Sequence, residues 1–236
     1  MHVILIPGLW LVGSSWDDVV PALEEAGHEV LPLTPPGMGS RRLDRSHITL
    51  RDHVEDVVEV IDSLLADAGE GAKVILVAHG SGGAVAHAAV DARPDKVARV
   101  IYVSAVPRGD GEHGEDWDSV NGEVPLPNWA DFGDDMLVDL DEELRERIRA
   151  RSIPSPEAVM RDPQKLENDA RYDVPVTVVA CEESSDKIEH WILEGNPRYA
   201  ELGKITDVSY LDLATGHWPQ YSKPAELGRL LVESIA

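Results

Sequence analysis

The chain has 236 residues, 43% of them apolar, and carries a formal net charge of −23. That length suits one well-packed α/β domain and leaves little for a second. The acidity argues against nucleic-acid and anionic-membrane partners, which need clustered Lys and Arg, and reads as a solvated surface.

The first eight residues, Met1-His2-Val3-Ile4-Leu5-Ile6-Pro7-Gly8, lack a basic region and a cleavage motif. They read as a first strand over residues 3–6, not as a signal peptide. Residues 16–26 form an amphipathic pattern with Trp16, Val19, Val20, Leu23 and Ala26 on one face, ending at Gly27. A second strand is expected over 29–33, followed by the turn cluster Thr34-Pro35-Pro36-Gly37. Thr49 and Asp52 have capping-box spacing for a helix over 50–68. Further strands are expected over 74–77, 97–103, 174–180 and 208–211, with helices over 84–92 and 224–235. Short β-branched runs alternating with helical patterns predict an α/β fold with a mostly parallel, doubly wound sheet.

Between residues 107 and 173 the alternation fails. The segment is acidic, contains Trp117, Trp129 and Phe132, and has one helical pattern over 141–151. An insertion of that kind reads as a lid over the carboxyl edge of the sheet, where α/β proteins hold their ligands. Cys181 is the one cysteine, so no intrachain disulfide can form. No apolar run reaches the roughly 20 residues of a membrane helix, and the expected location is cytoplasmic.

Three stretches converge at that edge if the strands are parallel: Pro7-Gly8-Leu9-Trp10, Ala78-His79-Gly80-Ser81-Gly82-Gly83, and Leu213-Ala214-Thr215-Gly216-His217-Trp218-Pro219. The middle one, a strand running through a glycine-rich turn into a helix, has the pattern of a nucleophile elbow. Counted from the strand, its apex is Gly80, which has no side chain, and the hydroxyl of Ser81 comes one position late. Taking Ser81 as the nucleophile puts His79 where a small residue allows the tight turn. It also rotates the hydroxyl by about 100°, because a helix begins there, and aims it into the packing. His217 follows a glycine in a loop and can swing its imidazole over the elbow. His79 and His87 read as packed residues.

These stretches, together with Leu31-Pro32-Leu33-Thr34-Pro35-Pro36-Gly37, resemble the α/β-hydrolase fold superfamily, in particular methylesterases, hydroxynitrile lyases and short actinobacterial hydrolases. The resemblance covers nearly the whole chain, 1–236, as a single domain with the 107–173 insertion within it. It implies a serine nucleophile at the position of Gly80 and an oxyanion hole from the backbone N–H groups of Leu9 and Ser81. Relatives carry the triad acid near Ser184 or at Ser104, neither of which is acidic here. The remaining candidates are Glu182, then Asp186, with Glu183 beside them. Trp10, Trp218 and Pro107 are expected pocket walls.

Three readings stay open. One is an enzyme without a covalent step, in which His217 moves a proton beside a carbonyl held by the oxyanion hole, as an epimerase, lyase or cyclase of a natural-product pathway would. Another is a carboxylesterase-type hydrolase using Ser81, or a variant inactivated at Gly80. The third is a non-catalytic ligand-binding module. The expected partner is a small-molecule or peptide substrate with a hydrophobic part; no metal or nucleotide cofactor is expected. The acidic insertion disfavours a strongly anionic substrate unless Arg41, Arg42 or Arg45 offsets it locally.

Overall fold

A computed structural model describes residues 1–235, so the last position of the expected 1–236 domain lies outside the described residues. Its strands are β1 (His2–Ile6), β2 (Glu29–Pro32), β3 (Val74–His79), β4 (Val97–Val103), β5 (Glu123–Val124), β6 (Ser155–Pro156), β7 (Val176–Ala180) and β8 (Val208–Asp212). The helices are α1 (Val20–Glu25), α2 (Leu50–Leu64), α3 (Gly82–Ala92), α4 (Glu142–Arg151), α5 (Glu157–Arg161), α6 (Ser185–Leu193), α7 (Pro219–Ser222) and α8 (Pro224–Ile235).

Six strands form one sheet in the order β2-β1-β3-β4-β7-β8, and every pairing in it is parallel. Strand side chains alternate between faces, and here both faces are apolar. Ile4, Ile6, Leu76 and Ala78 join one core with Val57 and Ile61 of α2 and Val85 and Ala89 of α3. Val3, Leu5, Ile75 and Val77 join the other with Trp16, Leu23 and the α8 residues Leu227 and Leu231. A strand buried on both sides must be a continuous apolar run, and β3 is buried at every position. Each such Val, Leu or Ile contributes about 1.5–3 kcal/mol relative to exposure.

The expected capping box forms, with Thr49 accepting from Asp52 N–H and the Asp52 carboxylate accepting from Thr49 N–H. The helix expected over 16–26 is instead a 3-10 turn, Gly13–Trp16, followed by the short α1. Pro21 explains this: it has no N–H to donate backwards and its ring clashes with a preceding helical turn, so it belongs in the first turn. Trp16, Val19 and Leu23 are nevertheless fully buried, as the apolar pattern required.

The 107–173 segment contains β5, β6, α4 and α5. Its Phe132, Leu137, Leu140 and Ile148 make a third apolar cluster with Trp10 and Leu11 from the loop after β1 and with Trp218 and Tyr221 at the start of and within α7. Arg41, Arg42 and Arg45 do not serve as cavity charges. Arg41 donates to the carbonyls of Arg149, Ala150 and Ser152 at the end of α4. Arg45 is fully buried and bonds Glu123, 2.6 Å away, and the Gly37 and Ser40 carbonyls. Arg42 is exposed.

Candidate active site

Strand β3 ends at His79, and Gly80 turns the chain into α3 with φ +51°, a left-handed conformation that favours glycine. Ser81 already has helical angles, φ −64° and ψ −19°. The sharp residue of the turn is therefore Gly80. Gly82 closes the turn against β1, since a Cβ there would lie 2.6 Å from the Pro7 carbonyl oxygen.

His217 stands over this turn. Its backbone N–H donates to the Met136 carbonyl at 2.8 Å, which ties the loop after β8 to the 107–173 segment. Its Nδ1 lies 2.6 Å from Glu182 Oε1 and 2.7 Å from Ser104 Oγ. Ser104, at φ +47°, donates its own proton to Glu182 Oε1 or Oε2, at 2.8 and 2.6 Å. A proton on Nδ1 satisfies the carboxylate and leaves Nε2 as the basic nitrogen. Burial would raise the Glu182 carboxyl, but the bonds from His217 and Ser104 outweigh it and hold it at about 2. A Cβ built on Gly80 would lie 3.1 Å from His217 Nε2.

His79 supports this arrangement from below. Its Nε2 donates to the His217 carbonyl at 2.7 Å, and the two rings are 4.8 Å apart. Burial, reinforced by the neighbouring His217, depresses its pKa to about 3, so it stays neutral. His87 packs elsewhere, between the Tyr102 hydroxyl and Glu201.

Two expectations need correction. Ser81 Oγ does not turn into the packing: it lines the cavity and accepts the Leu9 N–H at 2.9 Å. The turn after β1 brings the Leu9 N–H to the start of α3, and that bond fixes the direction of the hydroxyl. One of the two expected oxyanion donors is thus engaged by Ser81 itself, while Ser81 N–H has no backbone acceptor among the described residues. Asp186 is not beside His217 either. Four residues after β7 the chain turns helical, with Ser184 capping α6 and accepting from Lys187 N–H, so Asp186 is carried to the exposed first turn. Glu183 pairs with Lys187. Glu182 alone of the three reaches the imidazole.

Above the dyad lies a cavity of about 590 Å³. Trp10, Trp218 and Pro107 line it as expected, and Trp117, Phe132, Met136 and Arg108 join them. Trp10 is held at φ +65° by its N–H bond to Ser155 Oγ and its indole bond to the Val124 carbonyl. Phe132 is 5.8 Å from Trp10 and 5.3 Å from Trp218, both edge-to-face. Ser104 and Arg108 escaped the sequence reading as site residues, although both follow directly from the end of β4 at the ligand edge. No group of three His, Cys, Asp or Glu side chains arranged for a metal occurs among the described residues. No helix among them is long and apolar enough to cross a membrane.

The model of the alpha/beta hydrolase family matches residues 3–230. Polyneuridine aldehyde esterase of Rauvolfia serpentina is 36% identical over 107 residues, which are 44% of this chain and 39% of that protein. Carbendazim hydrolyzing esterase of a Nocardioides species is 37% identical over 116 residues, 48% of this chain and 44% of that one. The chain thus spans less than half the length of these two curated relatives. An extracellular α/β-hydrolase from Paenibacillus superposes with a TM-score of 0.78 at 18% identity, covering 99% of this chain and 98% of that one, a likeness of fold. With the sheet order, the turn after β3 and the match over residues 3–230, the chain belongs to the alpha/beta hydrolase family.

Proposed function

We propose that this protein acts on a small carbonyl compound by general-base catalysis at His217 Nε2, without an acyl-enzyme. The observation that carries the reading is the bare face of Gly80, whose Cβ position lies 3.1 Å from that nitrogen. Gly80 puts no hydroxyl beside that nitrogen, and the Ser81 Oγ that follows it is bonded to Leu9 N–H. In this reading Gly80 occupies the place of the family's serine nucleophile, and Glu182 and Ser104 orient the ring.

The chemistry then follows from what the base can reach. His217 Nε2 takes a proton from the carbon next to the carbonyl, and the electron pair left behind forms an enolate. The Ser81 N–H stabilises its oxygen, joined by the Leu9 N–H when the ligand oxygen displaces Ser81 Oγ. Return of the proton from Nε2 to the same carbon or another completes an isomerisation; where the enolate instead forms a C=C bond by expelling a β-substituent, the proton goes to that leaving group and completes an elimination. Donors aimed at such an oxygen are worth about 3–4 kcal/mol each. The 107–173 segment acts as the lid that keeps water from the enolate.

A second reading has a specific support: the matched curated relatives named above are esterases. Here a water molecule fills the space over Gly80, gives its proton to Nε2 and attacks the ester carbon; the same proton then leaves with the alcohol. One experiment separates the two. Ethyl 2-methylacetoacetate is incubated in deuterium oxide with the protein and with His217→Ala. Deuterium entering C2 faster with the unaltered protein, the ester remaining intact, supports proton transfer. Ethanol release without enzymatic exchange supports hydrolysis, and neither rate exceeding that of His217→Ala rejects both.

A further inference from the structure

The cavity lining carries a charge that the dyad does not use. Arg108 follows β4 by five residues and lines the same cavity as Gly80 and His217. Its Nη1 is buried with no hydrogen-bond partner, and the guanidinium forms no ion pair among the described residues, whereas seven of the chain's other arginines do. Burial lowers its pKa, partly offset by Glu112 and Glu115, whose fields reach it without direct contact. A buried guanidinium nitrogen without an acceptor is costly, and the side chain that carries it lines the cavity and brings a planar fork of donors that matches a carboxylate.

We propose that Arg108 is an anion anchor and that the substrate is a carboxylate-bearing carbonyl compound with an apolar body. This rests on the cavity being the substrate site of the reading above. Trp10, Trp117, Phe132 and Trp218 supply an aromatic wall for the apolar body. Ser104, which touches the His217 ring, and Arg108 are four residues apart, so their Cα atoms are separated by at most about 14 Å. The carboxylate and the reacting carbonyl therefore belong to one small molecule. Arg108, and not Arg41, Arg42 or Arg45, answers the acidity of the insertion.

Binding tests this without any turnover. Calorimetric titration compares 1-naphthaleneacetate with the isosteric neutral 1-naphthaleneacetamide. The unaltered protein is expected to bind the carboxylate at least tenfold more tightly. Arg108→Gln should erase that preference while leaving amide affinity within twofold, and Arg108→Lys should retain part of it. Arg198→Gln, at an exposed position on the same cavity, should leave the preference in place. Equal binding of both probes, a preference that survives Arg108→Gln, or one that disappears with Arg198→Gln would overturn the assignment. A carboxylate preference in a protein that exchanges no deuterium would retain the anchor and reject the proposed chemistry; exchange without the preference would do the reverse.

Discussion

The side of Gly80 that would carry a side chain looks at His217 Nε2 from 3.1 Å. The other ring nitrogen is fixed 2.6 Å from Glu182. A base oriented on one side and unopposed on the other is the relationship from which the functional account is built.

Gly80→Ser should create, or strongly raise, hydrolysis of 4-nitrophenyl butyrate, with saturation kinetics and a burst of nitrophenol. The new side chain adopts a left-handed backbone at about 1–2 kcal/mol, and His217 must yield by a few tenths of an ångström. A melting temperature lower by a few degrees is expected alongside the gain.

Removing the acid of the dyad should be severe. Glu182→Gln leaves the ring without the carboxylate that fixes its tautomer, and turnover should fall about 10²-fold or more. Ser104→Ala removes one bond to that carboxylate, typically worth about 1.5–3 kcal/mol for a charged acceptor, and should cost about tenfold. The pH at which activity declines on acidification should rise in Ser104→Ala. A purely structural role for Ser104 would lower stability and leave that profile in place.

Stability should fall as the medium is acidified from about pH 6.5. His79 and His53 are buried, and burial lowers their pKa values from the usual 6.5 to about 3 and about 4. Between each pair of values the unfolded chain binds the proton and the folded one does not, so acid favours unfolding. Their contribution is complete above pH 6.5 and is lost on the way down to the folded values. Glu182 adds to the loss between 4.5 and about 2. Urea midpoints measured across this range should show the slope, and His53→Gln should make it shallower by up to about 1.4 kcal/mol per pH unit between pH 6.5 and 4.

Arg41 ties three carbonyls at the end of α4 to the loop after β2. Because that guanidinium is partly exposed, Arg41→Ala should cost only about 1 kcal/mol. Amide exchange should nevertheless quicken at residues 149–153 before the sheet is affected.

The sheet was legible because burial on both faces forces continuous apolar strands: β4 and α8 have the limits read from sequence, and Thr49-Asp52 marked the start of α2. His217 and Glu182 were legible from their places after the last two strands. Spacing could not tell which loop carboxylate would reach the ring, since that depends on α6 beginning at Ser185 and carrying Asp186 outward. The direction of Ser81 Oγ was hidden for a similar reason. It is set by Leu9, 72 residues away in sequence. Arg108 lay in a segment without periodicity, where side-chain direction depends on tertiary packing.

The most direct measurement is intact-protein mass after treatment with an alkyl fluorophosphonate, with peptide mapping of any adduct. Gly80→Ser should gain one phosphonyl group at residue 80, while the unaltered chain stays at its own mass under the same conditions. An adduct on Ser81 of the unaltered chain, abolished by His217→Ala, would mean that Ser81 is the nucleophile and that the general-base account is wrong.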